Sequence, residues 1–275
     1  MNISTATEAK TAPTIFFIPG AWHSPWVFDH VRDLLSARGF ETEASSLATV
    51  GAADPRVGVF DDAAGMRSAL ASLADEGKEV VVVAHSYGGF VASHAVDGLG
   101  AKQRASTGLR GGILMILYLA AFVIPPGTDL LTMQGGSYPW WWDVSEDGFM
   151  MPKQPLDVFY ADVEASLAEK AVASLRPIPL QVAKDVSAYD SLNGNHDVGY
   201  VFAEQDKAIA IQVQEAVASR FPEGSFMARL DSSHSPFFSM PNTLVDTIER
   251  AVKHALAKRS SETLLPAPAA ERSVI

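Results

Sequence analysis

The stretch EVVVVAHSYGGF, residues 79–90, constrains the fold more than any other part of this chain. Four consecutive valines predict a strand that is buried on both faces, as in the interior of a parallel sheet. The small residues Ala84 and Gly88 follow at once, and the segment FVASHAVDGL after them is compatible with a helix. A strand that passes into a helix through so short a segment must turn sharply, and Ser86 lies at the apex of that turn.

The remaining sequence alternates strand and helix patterns, which predicts a doubly wound α/β fold. We expect a mainly parallel sheet of about six strands, with helices on both faces and an inserted, mostly helical lid. The expected strands are residues 14–18, 41–47, 80–83, 112–120, 198–203 and 225–230. The core then comprises residues 14–124 and 197–258, the lid residues 125–196, and the disordered ends residues 1–13 and 259–275.

Composition and charge exclude some classes of partner and cellular location. The net charge of −11 argues against nucleic acid as a partner, because phosphate binding favours a basic surface. The longest apolar run, residues 113–124, is shorter than the roughly 20 residues that span a bilayer, so we expect no membrane association. No signal peptide is evident and there is no cysteine, which predicts a cytoplasmic protein. We expect a small-molecule substrate, no cofactor and no metal, and we leave open whether the chain forms a homodimer.

Ser86 is the candidate nucleophile. The motif small-x-Ser-x-Gly between a strand and a helix is typical of a nucleophilic serine, and residues 84–88 match it. Its hydroxyl group is weakly nucleophilic at neutral pH and must lose its proton to a base as it attacks. The N-terminus of the following helix would offer free N–H groups and a positive dipole end to a developing oxyanion.

His234 is our candidate for the base among the seven histidines. It lies in the polar loop DSSHSPFFSMP, directly after the last predicted strand, and so at the carboxyl edge of the sheet where Ser86 is expected. The base needs a carboxylate that holds its ring in the reactive tautomer. Asp206, after the strand of residues 198–203, is the candidate, and Asp129, after an earlier strand, is the alternative.

Two backbone N–H groups are needed to bind the oxyanion. We expect one from Tyr87, directly after the nucleophile, and one from Ala21. Ala21 lies in the loop FFIPGAWHSPW that follows the first strand. Gly20 would let this loop turn close to Ser86.

The substrate is expected to contact both this loop and the lid. We predict contacts with Trp22 and His23 in the loop, and with Trp141 and Phe159 in the lid. Ligands of open α/β folds bind at the carboxyl ends of the strands, which an insertion in this position would cover. The alternative is that the tryptophans of PWWW, residues 139–142, only anchor the lid to the core.

Residues 14–258 resemble an α/β-hydrolase, and more narrowly the group of small esterases and hydroxynitrile lyases that includes plant methyl-ester esterases and microbial relatives. The resemblance rests on the segments PGAWHSPWVF, VVAHSYGG, DVFYADVEASLAEKAVASLRPIPL, YVFAEQDKAI and SSHSPFFSMP. It implies the chain order nucleophile, acid and base, which Ser86, Asp206 and His234 follow. Pro19 stands where the family usually has a histidine, which should alter the oxyanion loop but spare its backbone donors.

The resemblance implies hydrolysis of a carboxylic ester or lactone of a small apolar or aromatic substrate through an acyl-enzyme. Carbon–carbon bond hydrolysis or a lyase reaction on the same triad is the alternative within the family. The lyases typically carry a threonine at the position of Gly20 and a lysine at that of Ser235, so both residues favour hydrolysis. The alternative of another class is a small-molecule binding protein, since some relatives are receptors or carriers.

Overall fold

The computed structural model describes residues 12–264 and contains a six-stranded sheet in which all neighbouring strands are parallel. The strands, in chain order, are β1 (Thr14–Ile18), β2 (Thr42–Ala44), β3 (Glu79–His85), β4 (Gly112–Leu119), β5 (Trp142–Val144), β6 (Phe149–Pro152), β7 (Ile178–Pro179), β8 (Asp197–Ala203) and β9 (Phe226–Leu230). The large sheet has the order β2-β1-β3-β4-β8-β9, so β3 and β4 lie at its centre. The predicted α/β class and number of strands are confirmed.

The valines of β3 are completely buried, as their pattern predicts. Val80 and Val82 contribute to one hydrophobic cluster, whereas Val81 and Val83 contribute to another. Alternate side chains of a strand point to opposite faces, so the two clusters lie on the two faces of the sheet. Burial on both faces fixes β3 inside the sheet, and its carboxyl end leads directly to Ser86.

Helices cover both faces of the large sheet. The α-helices are α1 (Asp29–Ala37), α2 (Val59–Asp75), α3 (Gly88–Ala95), α4 (Ala101–Ser106), α5 (Leu130–Met133), α6 (Pro155–Phe159), α7 (Ala165–Ser174), α8 (Ile211–Ala218), α9 (Pro236–Ser239) and α10 (Pro241–Leu264). Apolar side chains of α1, α9 and α10 join the cluster on one face, and those of α2, α3 and α8 join the other. None of the helices in the described part of the chain has the length and hydropathy of a membrane-spanning segment.

Helix α10 continues to Leu264, beyond the boundary at residue 258 that the sequence predicted. The expected disorder of residues 259–275 is therefore wrong for residues 259–264. The rest of that expected tail, and residues 1–11 of the expected N-terminal one, lie outside the described residues. Lys258 Nζ lies 3.1 Å from Oδ1 of Asp197, a buried carboxylate at the start of β8. Arg259 pairs with Glu79 at the start of β3, so contacts distant in sequence extend the helix.

The lid lies between β4 and β8 and contains α5, α6 and α7. It also contains an antiparallel sheet of β5, β6 and β7, whereas the sequence predicted no strand there. These strands have only two to four residues, too few for an alternating pattern, and two of them end in proline. The Val59 N–H group of α2 donates to Asp185 Oδ2 in the lid at 2.7 Å, which connects lid and core.

Candidate active site

Ser86 occupies a strained turn between β3 and α3. Its φ angle is 56°, in the left-handed region that residues with a side chain rarely adopt. A Cβ atom on Gly88 would lie 2.5 Å from the carbonyl oxygen of Pro19. One on Gly89 would lie 2.5 Å from the carbonyl oxygen of Phe122. Only glycine fits at these two positions, and their close neighbours fix the backbone that follows Ser86.

His234 and Asp206 are joined by a hydrogen bond at the same edge of the sheet. His234 Nδ1 is 2.7 Å from Asp206 Oδ2, and both side chains are buried. Because a carboxylate only accepts, Nδ1 carries the proton, and Nε2 of the neutral ring is free to accept one. Asp206 Oδ1 accepts the N–H groups of Ala208 and Ile209 at 2.7 and 2.9 Å, which fixes the carboxylate.

Asp129, the alternative acid, has a different role in the structure. It is the N-cap of α5, where Oδ1 accepts the N–H group of Thr132 at 2.7 Å. Its Oδ2 accepts the hydroxyl group of the same threonine at 3.0 Å. Both carboxylate oxygens are thus used at the start of a lid helix, and the fold brings Asp206 rather than Asp129 to His234.

His85 connects the turn of Ser86 with the loop of His234. Its Nε2–H group donates to the carbonyl oxygen of His234 at 2.9 Å, and the two ring centroids are 4.5 Å apart. Burial lowers the pKa of His85 well below its usual value, so the ring is neutral. No hydrogen bond joins Ser86 to His234 in the described chain, and catalytic pairs often form theirs only when substrate binds. The sequence placed His85 beside Ser86, but its contact with the His234 loop depends on the fold.

Ala21 and Tyr87, the predicted oxyanion donors, lie beside Ser86. All three residues line one cavity. A Cβ atom on Gly20 would lie 3.0 Å from Cβ of Ser86, which shows how closely the loop after β1 approaches the serine. Neither the Ala21 nor the Tyr87 N–H group donates a hydrogen bond within residues 12–264. Two free backbone donors beside a serine suit a negatively charged oxygen.

The side chain of Tyr87 is anchored to α2. Its hydroxyl group donates to Asp62 Oδ2 at 2.8 Å. Asp62 also accepts the N–H and hydroxyl groups of Thr49 at 2.9 and 2.7 Å. Burial raises the pKa of this carboxyl group despite the three hydrogen bonds. The network holds Tyr87 in place, and no local sequence pattern predicted it because its members are far apart in the chain.

His23, which was predicted to contact the substrate, supports the loop after β1 instead. Its Nδ1–H group donates to the carbonyl oxygen of Ala21 at 2.6 Å, and its Nε2 accepts the hydroxyl hydrogen of Tyr160 at 2.6 Å. Burial lowers the pKa of His23 to about 4, so the ring is neutral and both nitrogens are used. His23 does not line the cavity beside Ser86.

The cavity beside Ser86 lies under the lid. The lid contributes Leu130, Gln134, Trp141, Trp142, Met150 and Val182 to its wall. Trp22 and Trp141, two of the predicted substrate contacts, are part of this wall. No charged side chain lines the cavity. Within residues 12–264, no group of three or more histidine, aspartate or glutamate side chains is arranged to hold a metal ion.

Phe159, the fourth predicted substrate contact, lies behind the cavity wall. Its ring centroid is 5.8 Å from Trp22, 5.4 Å from Trp141 and 5.5 Å from His234. Its side chain is completely buried and does not line the cavity. Phe159 therefore connects the wall with His234 by packing. Trp141 both lines the cavity and anchors the lid, so the two interpretations of the lid tryptophans are compatible.

The parallel sheet, the serine turn after β3 and the loops after β8 and β9 define the class of protein. Residues 15–247 match the alpha/beta hydrolase family, and the chain belongs to that family. This match confirms the resemblance that the sequence motifs indicated.

Two relatives and one solved structure are similar to this chain over most of its length. The alpha/beta hydrolase nvfD of Aspergillus novofumigatus is 25 % identical over 248 residues, covering 89 % of this chain and 98 % of that protein. The pFDCC methylesterase MES16 of Arabidopsis thaliana is 27 % identical over 269 residues, covering 89 % of this chain and 97 % of that protein. A crystal structure of a pyrethroid hydrolase from Sphingobium faniae JZ-2 has a TM-score of 0.69 at 22 % identity. The superposition covers 88 % of this chain and 97 % of the pyrethroid hydrolase, which shows a shared fold.

Proposed function

We propose that this protein hydrolyses carboxylic esters with Ser86 as the nucleophile. One observation carries the proposal: the strained serine, the hydrogen-bonded pair Asp206–His234 and two free N–H groups converge at one edge of the sheet. The similarity to a protein named as a methylesterase supports ester chemistry. The cavity has no charged lining, which supports an apolar or aromatic ester or lactone as substrate.

In the proposed reaction, His234 Nε2 takes the hydroxyl proton of Ser86 as Oγ attacks the carbonyl carbon of the ester. Negative charge develops on the carbonyl oxygen, which the N–H groups of Ala21 and Tyr87 bind. Asp206 keeps Nδ1 protonated and stabilises the imidazolium ion. The alcohol leaves with the proton from His234, and the acyl group stays on Oγ. Water then gives a proton to His234 Nε2 as its oxygen attacks the acyl carbon. The bond to Oγ breaks, His234 returns the proton to Oγ, and the carboxylic acid is released.

Two residues support hydrolysis over a lyase reaction. Gly20 lacks the hydroxyl group that the threonine of the related lyases provides, and a Cβ atom there would lie 3.0 Å from His85 Nδ1 and from Ser86 Cβ, so a threonine would require these neighbours to shift. Ser235, at the position of their lysine, has an uncharged side chain that cannot stabilise a departing cyanide ion by charge. An ester needs neither group, since its developing charge lies on the carbonyl oxygen.

Replacement of the serine tests the proposal. Ser86→Ala should lower kcat on p-nitrophenyl esters of graded acyl length by about 10⁶-fold, the loss that follows removal of a serine nucleophile. A fluorophosphonate probe should label the wild-type protein and not this variant. Ser106→Ala, an exposed position on α4, is the matched control and should keep full activity. Retention of a tenth of the wild-type rate by Ser86→Ala would contradict the proposal. A wild-type protein that is inert to probe and esters would indicate a binding protein.

A further inference from the structure

Two buried hydrogen-bond donors in the wall of the cavity have no partner. They are the Nε1–H group of Trp142 and the Nε2 amide group of Gln134, both in the lid. The Trp142 side chain is 5 % exposed. In folded proteins nearly all buried donors are paired, so two unpaired donors in one cavity require an explanation.

Two other side-chain donors of the same wall are paired. The Nε1–H group of Trp22 donates to the carbonyl oxygen of Met150 at 2.9 Å, and the hydroxyl group of Tyr87 donates to Asp62. Of the buried donors without a partner in the described chain, only those of Trp142 and Gln134 belong to residues of this wall. The unpaired donors thus coincide with the space where a substrate would bind.

The lid holds both residues in place. Gln134 follows α5, and its backbone N–H group donates to the carbonyl oxygen of Leu130 at 3.2 Å. Trp142 begins β5, and its ring packs against Trp141 and Tyr138 with centroid distances of 5.9 and 6.1 Å. These ring contacts hold the indole group in the wall of the cavity.

We propose that Trp142 and Gln134 bind a second oxygen atom of the substrate, distinct from the carbonyl that Ser86 attacks. This inference rests on the proposed ester hydrolysis, in which the N–H groups of Ala21 and Tyr87 already bind the reacting carbonyl oxygen. N–H donors require an acceptor, such as a ketone, ester or ether oxygen. The oxygen is uncharged, because no cationic side chain lines the cavity to compensate a buried carboxylate. The substrate class is a carboxylic ester with a second, neutral oxygen acceptor.

Matched esters test this inference. Phenyl hexanoate is compared with phenyl 4-oxohexanoate and phenyl 5-oxohexanoate, and pentyl acetate with 2-ethoxyethyl acetate. Each pair exchanges a methylene group for a carbonyl group or an ether oxygen, on the acyl or on the alcohol side. For the wild-type protein, we expect kcat/KM of at least one oxygenated ester to exceed that of its alkyl match by about 10-fold or more. Only the oxygenated ester supplies the donors with a partner.

The variants Trp142→Phe and Gln134→Leu remove the two donors. Each should reduce the preference for the oxygenated ester towards one, whereas Trp140→Phe and Gln103→Leu, at exposed positions, should keep the wild-type preference. The quantity compared is the ratio of kcat/KM within a matched pair, so a general loss of activity does not count as support. Absence of any preference in the wild type, or its persistence in both variants, would overturn the inference.

The same panel separates this inference from the proposed function. Cleavage that depends on Ser86 but shows no preference would disprove only the role of the donors. Failure to cleave any ester, together with failure to react with the fluorophosphonate probe, would disprove the proposed function and this inference with it. Thermal unfolding adds an independent readout. Gln134→Leu should unfold no lower than the wild type, because the amide donates no hydrogen bond in the free protein, whereas a marked fall would show a structural role and contradict the inference.

Discussion

Ser86 has a backbone angle that costs an ordinary residue about 1–2 kcal/mol. Its neighbours determine this conformation: its N–H group donates to the carbonyl oxygen of Leu119 at 3.2 Å. Its own carbonyl oxygen accepts the N–H groups of Gly89 and Phe122 at 3.0 and 3.1 Å. Strained residues persist where the surrounding structure over-determines them, and such residues cluster at functional sites. Hydrogen bonds to the backbone around the ends of β3 and β4 therefore hold Ser86 in this conformation against its own preference.

The first prediction at the residue scale concerns the acid. Asp206→Asn should lower kcat by about 10⁴-fold, because an amide at this position no longer holds Nδ1 of His234 protonated. Asp129→Asn should lower kcat by less than about 3-fold, since Asp129 only caps a lid helix. Steady-state hydrolysis of a p-nitrophenyl ester measures both variants. A severe loss in Asp129→Asn with a mild one in Asp206→Asn would reverse the assignment of the acid.

The proximity of Ser86, Asp206 and His234 could be predicted because each follows a parallel strand. The carboxyl ends of parallel strands lie at one edge of a sheet, so the pattern of strands placed all three residues there. The same pattern also placed Asp129 there, and only the fold selects Asp206 as the partner of His234. The positions of His23 and Phe159 could not be predicted. Whether an aromatic side chain faces a cavity or lies behind its wall depends on packing between lid and loop, which has no periodic sequence signal.

At the scale of elements, the segment between α6 and α7 contacts the loop that carries His234. The N–H group of Ser233 donates to Asp162 Oδ2 at 2.9 Å, and the Ser233 hydroxyl group also contacts this carboxylate. The same hydroxyl group lies 3.1 Å from the carbonyl oxygen of Phe159. The lid therefore helps to position the predicted base.

Removal of this contact gives a prediction for the lid. Asp162→Ala should lower kcat/KM by about 3- to 10-fold, because the neighbour of His234 loses a charged acceptor, although solvent screening at this exposed aspartate limits the effect. Thermal unfolding should change by only a few degrees. Asp147→Ala, at another exposed lid position, is the control and should behave as the wild type. Equal effects of the two substitutions on ester hydrolysis would show that the contact does not act on His234.

Long, strongly patterned elements could be predicted, and short ones could not. The strands and helices of the core carry apolar residues at regular spacing, and these side chains are buried in or against the large sheet. By contrast, Ser24 and Pro25 together are a typical sequence signal for the start of one helix, but the chain there forms a 3₁₀ turn, Pro25–Phe28, followed by α1, and the Ser24 side chain makes no cap hydrogen bond. Differences of one turn arise from packing rather than from local preference.

At the scale of the whole molecule, three buried histidines make the stability of the fold sensitive to acid. Burial lowers the pKa of His23 and His196 to about 4, and that of His85 well below its usual value. In the unfolded chain a histidine has a pKa of about 6.5, so below that pH the unfolded state binds more protons. The stability that these neutral rings provide is complete above about pH 6.5 and is lost as the pH falls towards 4. Asp62, whose pKa is raised, acts in the opposite sense.

The variant His196→Leu measures one of these contributions. A histidine of this kind destabilises the fold by about 1.4 kcal/mol for each pH unit below 6.5. The free energy of unfolding of the wild type should therefore fall by ~2 kcal/mol more than that of His196→Leu between pH 7.5 and 5.0. Urea unfolding at both pH values, with equal m-values for the two proteins, gives this difference. Equal losses in the two proteins would show that His196 is protonated alike in the folded and unfolded states.

The packing of Gly20 also limits which sequences can be reached one substitution at a time. A Cβ atom at position 20 would lie 3.0 Å from His85 Nδ1 and from Ser86 Cβ, so a larger residue there requires these neighbours to shift, and positions 20 and 85 are energetically coupled. A library that varies position 20 alone should favour small residues, whereas a joint library with a smaller residue in place of His85 should also admit larger ones. That first change removes the hydrogen bond from His85 to the His234 loop. A mutational path that first replaces His85 and then enlarges position 20 therefore passes through an intermediate with a less ordered base.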